Sequence, residues 1–380
     1  MTIKILRLLD SLNRGGAEIL ELDICRNAAS AGLDLTFAAT GGGDLEADFA
    51  ASGVDYVRLE RKLPVDPFLI KQLRDLIKAR DINIIHANQP VEAIHGYLAA
   101  SGTGAKCVMT LHNRLMDRRN RLAARLVIPR MDAVVSVSRS TQEWYAAEEG
   151  FVIDERFHIL PNGVDIKRLA PAASEDTTRL RREFGINENA ALLGMIGNFY
   201  LDGRKDQLTV CGALPAVFEQ FPEAHFVFIG ALHDGAEGYH ERCVEYCRDN
   251  DIADRVHFVG KRGDIPDLLR ELDLFVFSTV QEGMPIAAIE ALMLGVPMIV
   301  SDIPPMLEVG GADTAEGLCV EVFETGNADD LAEKVIALLR DPDKLTTLGE
   351  KARVQTTKYY GIEAHLATLK SLYENLAAGK

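Results

Sequence analysis

Glu282 and Glu290 stand eight positions apart, and Gly283, Met284, Pro285 and Ile286 follow the first of them directly. Ionised carboxylates only accept hydrogen bonds, so both acids suit sugar or ribose hydroxyls and repel phosphates. The residues between them do the opposite. Proline suits the first turn of a helix, where free backbone N–H groups and the positive end of the helix dipole form an anion site. Gly283 lets backbone approach a ligand with no Cβ in the way. Together they match a hydroxyl-rich molecule carrying a diphosphate. Taken singly, each acid reads equally well as a dipole partner or a solvated helix residue.

Four further groups invite chemistry. Gly15-Gly16 follow the first apolar run and read as a tight turn or as a close approach to phosphate or acceptor; the full G-x-G-x-x-G spacing is not met. His86 and His112 each end an apolar run, where a histidine is either a hydrogen-bonded spacer or a ligand contact. Cys243 and Cys247 share a helix face, but no second pair stands at zinc spacing, so they read as packing thiols and no metal site is expected. Between Arg114 and Arg130, arginines alternate with Leu, Ile and Val. This is either a solvated face or a helix drawn to anionic lipid or a lipid-diphosphate acceptor.

Short β-rich runs alternate with helical periods throughout, the pattern of parallel sheets joined by crossover helices. Strands are expected near 3–9, 34–39, 54–59, 82–87, 106–111 and 133–137, then near 191–197, 225–230, 255–259, 273–278, 297–301 and 316–321. Helices fill the intervals, among them 16–31, 115–130 and 285–295. Only helical patterns follow Asp341, at 343–356 and 361–379. The 380 residues exceed one ordinary core. The turn Pro161-Asn162-Gly163-Val164-Asp165 and the polar stretch 171–176 after it mark the boundary. The reading is α/β with two open parallel-sheet domains facing a cleft: 1–165, to which 360–380 cross back, and 166–359.

A net charge of −16 opposes nucleic-acid binding. No run reaches the roughly 18 apolar residues of a membrane span. The opening residues lack a signal-peptide pattern, and the scattered cysteines suit a reducing compartment. The expected place is the cytoplasm, or the inner face of its membrane.

The Glu282/Glu290 segment, Asn13-Arg14-Gly15-Gly16-Ala17-Glu18, Thr110-Leu111-His112-Asn113 and Pro161–Asp165 occur in an order that resembles the retaining family-4 glycosyltransferases, of GT-B fold. The resemblance spans most of the chain. It implies that Glu282 and the backbone of Gly283, Met284, Pro285 and Ile286 contact donor sugar and diphosphate, and that Glu290 holds the ribose. It implies that Gly15 and Gly16 border phosphate and acceptor, that His112 contacts sugar, that His86 lies acceptor-side, and that Gly260 and Lys261 hold the nucleobase.

The family's arginine position carries Asn198, so Lys205 is identified as the family lysine and Arg204 as the second charge on the departing diphosphate. Arginine clamps phosphate through a fork of donors, lysine as a point charge. The implied reaction is metal-independent hexosyl transfer with retention, from a UDP-sugar (alternatively a GDP-sugar) to a hydroxyl of a glycan or lipid-linked glycan in cell-surface polysaccharide or glycolipid synthesis. The alternatives are a UDP-sugar 2-epimerase-like enzyme and a catalytically silent binding subunit.

Overall fold

The computed structural model describes residues 3–114, 118–170 and 178–379. Leu115, Met116 and Asp117 of the basic run, and the polar stretch 171–176, lie outside them. The chain divides into two compact units, Met1–Asp165 with Tyr360–Lys380, and Ile166–Tyr359.

The first unit is a seven-stranded parallel sheet: β1 (Lys4–Leu9), β2 (Asp34–Ala39), β3 (Asp55–Arg58), β4 (Ile84–Ala87), β5 (Lys106–Leu111), β6 (Ala133–Ser136) and β7 (Phe157–Ile159). The order is β3-β2-β1-β4-β5-β6-β7. Helices cover both faces, so the central strands are buried on both sides, Arg7 of β1 and His86 of β4 included. Strand order reverses between β1 and β4, the place where parallel sheets leave a crevice beyond their carboxyl ends.

The second unit holds β8 (Leu192–Ile196), β9 (His225–Ile229), β10 (Val256–Gly260), β11 (Leu274–Phe277), β12 (Met298–Ser301) and β13 (Glu321–Phe323), ordered β10-β9-β8-β11-β12-β13. Its reversal lies between β8 and β11. Helices Gln207–Gln220 and Ala328–Leu339 close one face over a core that includes Phe218, Phe226 and Phe228.

The last helix, Ile362–Ala377, belongs to the first unit. Val164 N–H donates to the Tyr360 carbonyl at 2.9 Å, and Ile362 N–H to that of Val164 at 3.0 Å. Gly163 is required there, because a Cβ would stand 2.6 Å from that of His365.

Several elements depart from the sequence periodicity. The first helix stops at Asn27, not near 31, because Gly32 at φ 69° lets Leu33 N–H return to the Ala28 carbonyl at 2.9 Å, a glycine-type stop. The strand expected at 316–321 begins at Glu321, since Cys319 N–H is held on the Gly310 carbonyl at 2.8 Å. Short helices Glu46–Ala50, Arg179–Phe184 and Pro304–Val309, and strand β7, are too brief to show a period.

Candidate active site

At the reversal in the second unit, two loops are stitched together. Val280 N–H donates to the Arg204 carbonyl at 2.9 Å, Asp206 N–H to that of Ser278 at 3.0 Å, and Thr279 Oγ1 to that of Arg204 at 2.8 Å. The stitching brings Lys205 Nζ onto Glu282 Oε1, with both side chains nearly buried at 13 and 10% exposed. Lys205 Nζ also lies 4.1 Å from the centroid of the Phe277 ring, and its stem runs over Gly197. Removing either partner of such a pair strands a charge in low dielectric.

Glu282, Gly283, Met284, Pro285 and Ile286 are all buried as the chain turns into helix Ile286–Met293, with Pro285 as its cap residue. The first N–H groups of a helix have no acceptor within it, so an anion-binding end lies beside the lysine–glutamate pair. One turn further along, Glu290 is buried and bonded through Oε1 to Arg168 Nη1 at 2.7 Å. Sequence reasoning missed Arg168. It lies more than a hundred residues from Glu290, and its only local signal is a place shortly after the 161–165 turn.

Arg204 adjoins Lys205 but is committed elsewhere. Its Nε and Nη2 grip the Asp202 carboxylate at 3.0 and 2.7 Å, and its guanidinium lies 4.8 Å from the Tyr200 ring centroid. That bond holds the Asp202 carboxyl below the usual carboxylate range. Asn198 ties strand ends together: Oδ1 accepts from Ala231 N–H at 2.9 Å, and Nδ2 lies 3.2 Å from His233 Nε2. Buried Gln207 underpins the same turn, Nε2 donating to the Gly197 carbonyl at 3.2 Å. Gly260 ends β10, exposed with Lys261, and its carbonyl accepts from Gly230 N–H at 3.0 Å. The carboxyl edge of this sheet therefore gathers Gly260, Asn198, Lys205 and Glu282.

In the first unit Gly15 caps helix Gly16–Asn27, with Gly16 exposed. His112 follows β5, its Nε2 2.8 Å from Asn88 Oδ1. Burial, then the charge of Arg7, lowers its pKa to about 3, so the ring is neutral near pH 7.

His86 is placed differently from the acceptor-side expectation. Opposite Arg7 in the β1–β4 register, it is 1% exposed and bonded at both nitrogens, to Tyr373 Oη at 2.7 Å and Thr110 Oγ1 at 2.6 Å. Arg7 reaches the same tyrosine at 2.7 Å and pairs with fully buried Glu21. The cavity lined by Arg7, His86, His112 and His365 has about 10 Å³, room for one water at most. His86 thus joins the last helix to the sheet.

Helix Arg118–Val127 buries Ala123, Ala124 and Val127 and exposes Arg118, Arg119, Leu122 and Leu126. Arg121 and Arg125 are tied to the buried Glu149. Cys243 and Cys247 are buried in the second core beside Cys211. Among the described residues no group of three His, Cys, Asp or Glu side chains is set to hold a metal ion.

Comparison with known proteins matches residues 14–168 to the model of Glycosyltransferase Family 4 and residues 176–355 to that of Glycosyl transferases group 1. Among curated relatives, the chain is 26% identical over 331 residues, 82% of each chain, to the Escherichia coli UDP-Gal:alpha-D-GlcNAc-diphosphoundecaprenol alpha-1,3-galactosyltransferase. It is 25% identical over 315 residues to the lipopolysaccharide core biosynthesis mannosyltransferase LpsB of Rhizobium meliloti, covering 80% of this chain and 84% of that one. Among solved structures, Anabaena Alr3699/HepE in complex with UDP and glucose superposes with TM-score 0.83 at 19% identity, over 98% of this chain and 99% of that one. A glycosyltransferase from Rickettsia africae superposes with TM-score 0.84 at 17% identity, over the full length of both.

Proposed function

The chain belongs to glycosyltransferase family 4, with a group-1 second half and the GT-B architecture, and from that premise we propose that it moves a hexosyl unit from a UDP-sugar to a hydroxyl of a lipid-linked glycan in cell-surface glycan synthesis, with retention at the anomeric carbon. The observation that carries this reading is the buried Lys205–Glu282 pair at the mouth of helix Ile286–Met293. A diphosphate seated at the helix start meets N–H donors and the lysine charge, while Glu282 accepts from a hydroxyl of the donor sugar. In the transfer the C1–O bond to the diphosphate breaks, a C1–O bond to the acceptor forms, and the acceptor proton leaves with the diphosphate. Fixed positive groups aimed at that growing charge supply the catalysis.

Glu290, held by Arg168, takes the ribose hydroxyls. Arg204 serves the diphosphate by exchanging Asp202 for phosphate oxygens. The E. coli relative is named for a UDP-sugar and a diphosphoundecaprenol acceptor, which supports both choices here; a GDP-sugar is the second donor class, as in the GDP-mannose-dependent Corynebacterium relative. No helix among the described residues is long and apolar enough to cross a membrane. The arginines and exposed leucines of Arg118–Val127 bring the protein to an anionic surface, the inner face where lipid-linked acceptors lie.

The test is UDP release from a panel of UDP- and GDP-sugars with a water-soluble undecyl-diphospho-α-GlcNAc as acceptor. Acceptor-dependent release of nucleotide supports transfer. Epimerised donor without nucleotide release overturns it in favour of a 2-epimerase, and binding without turnover in favour of a silent subunit.

A further inference from the structure

The first unit has its own strand-order reversal, between β1 and β4, and the donor chemistry leaves unexplained what gathers there. Glu92 stands in the first turn of helix Pro90–Ala100, just after β4. Its side chain is 1% exposed, and neither carboxylate oxygen has a hydrogen-bond partner. The nearest opposite charge, Arg61 Nε, is 3.7 Å from Oε1, too long for a hydrogen bond, and that Nε is itself unpartnered. So is Thr40 Oγ1, on the residue after β2 whose carbonyl accepts from Arg61 N–H at 3.1 Å.

Three other buried acids are each met on at least one oxygen. Glu21 is clamped by Arg7, Glu149 by Arg121 and Arg125, and Glu271 accepts from the N–H groups of Leu180 and Arg181. A buried polar group left unbonded costs about 1–3 kcal/mol, so several in one patch mark a place made for something else.

The surrounding backbone is fixed to keep that patch in shape. Leu12 N–H donates to the Gly42 carbonyl at 3.1 Å, and Leu45 N–H to that of Leu12 at 2.9 Å. Gly41 is packed so closely that a Cβ would fall 2.0 Å from the Asp10 carbonyl oxygen. Asp10 is thereby held beside Thr40. Its charge is felt at both Glu92 and Glu18: burial and then Asp10 push Glu92 up to about 8, and burial above all pushes Glu18 up to about 7.

We propose that Glu92, with Asp10, Thr40 and Arg61, forms the subsite that receives the hydroxyls of the acceptor's sugar ring. The proposal rests on the transferase reading above. Each alcohol must donate one hydrogen bond and can accept others, and this patch offers both: acceptors on Asp10 and Glu92, donors on Thr40, Arg61 and the protonated Glu92. Two carboxyl groups make it hostile to phosphate, so the subsite selects a neutral polyhydroxyl ring and leaves any acceptor diphosphate to be held elsewhere.

The experiment compares the full-length protein with Glu92→Leu, Glu92→Gln and Thr40→Val, using undecyl-diphospho-α-GlcNAc as acceptor. Glu92→Leu raises the acceptor KM at least tenfold while donor KM and UDP affinity stay put. Glu92→Gln, which still donates and accepts, stays within about threefold, and Thr40→Val falls between. An unmoved acceptor KM in folded Glu92→Leu overturns the subsite. Should Glu92→Leu not fold, an unmoved KM in Thr40→Val overturns it instead.

Saturation-transfer NMR with methyl α-N-acetylglucosaminide separates this failure from failure of the transferase reading, because it needs no turnover. Binding by the wild type and its loss in the leucine or valine variant support the subsite even if no nucleotide sugar is consumed. Equal binding by wild type and variants, or a preference for a free amine over a hydroxyl, overturns it.

Discussion

Lys205 and Glu282 carry the account at the residue scale. In the proposed transfer, Lys205→Ala removes the positive group facing the leaving diphosphate and strands Glu282; kcat should fall about 10²–10³-fold, as for loss of one oriented charge-stabilising donor. Steady-state kinetics on folded variant protein checks it. Arg168→Ala should act differently, raising donor KM about tenfold with a smaller change in kcat, because Arg168 is paired with Glu290, the proposed ribose contact. Neither Arg168 nor the grip of Asp202 on Arg204 was legible in the sequence. Both partnerships are made by the fold between positions that local spacing does not link, or by a rotamer that spacing does not report. The helix start between the two glutamates was legible because Gly283 and Pro285 punctuate it.

Elements bring these side chains to their places, and the last helix shows how. Tyr373 receives Arg7 Nη1 and meets His86, so Tyr373→Phe should lower stability by about 1 kcal/mol without changing donor affinity. Arg7→Met, which removes the partner of the buried Glu21, should cost about 3–5 kcal/mol; urea denaturation measures both.

His112 adds a pH signature to the same unit. Its folded pKa, about 3, lies below the unfolded value, so the unfolded chain binds more protons between them. Stability from this residue is therefore complete above pH 6.5 and is lost as pH falls. From pH 6.5 to 5 the loss is about 2 kcal/mol. Glu92 and Glu18, raised instead, contribute in the opposite direction and strengthen the fold as pH falls. A difference measurement isolates the histidine: His112→Asn should flatten the fall in Tm between pH 6.5 and 5. Position alone does not tell His86 from His112, since both end apolar runs; only the resemblance gave them different places. The β1–β4 register sets His86 against Arg7, inside the sheet's buried network.

At the scale of the whole molecule, alternating short apolar runs and helical periods were enough to indicate two parallel sheets, because crossover helices leave that rhythm in any order of strands. Strand order itself was not legible. It places one reversal at β8/β11, where the Lys205–Glu282 pair stands, and the other at β1/β4, where Glu92 stands. Net charge of −16 makes the arginine helix an exception to an acidic surface. Reversing Arg118 and Arg119 to Glu should weaken binding to phosphatidylserine-containing vesicles at least roughly thirtyfold, at about 1 kcal/mol per basic residue lost. Arg121 is left in place because it answers Glu149. Vesicle co-sedimentation with unchanged binding would remove the membrane from the account.

Proton NMR of a running reaction tests retaining transfer most directly, with the nucleotide sugar that the protein consumes and undecyl-diphospho-α-GlcNAc as acceptor. Retaining transfer yields one free UDP for each new glycosidic bond and an α-anomeric proton in the product from an α-linked donor, with both signals lost in Lys205→Ala. A β-linked product, or a new donor epimer with no free nucleotide, would contradict it.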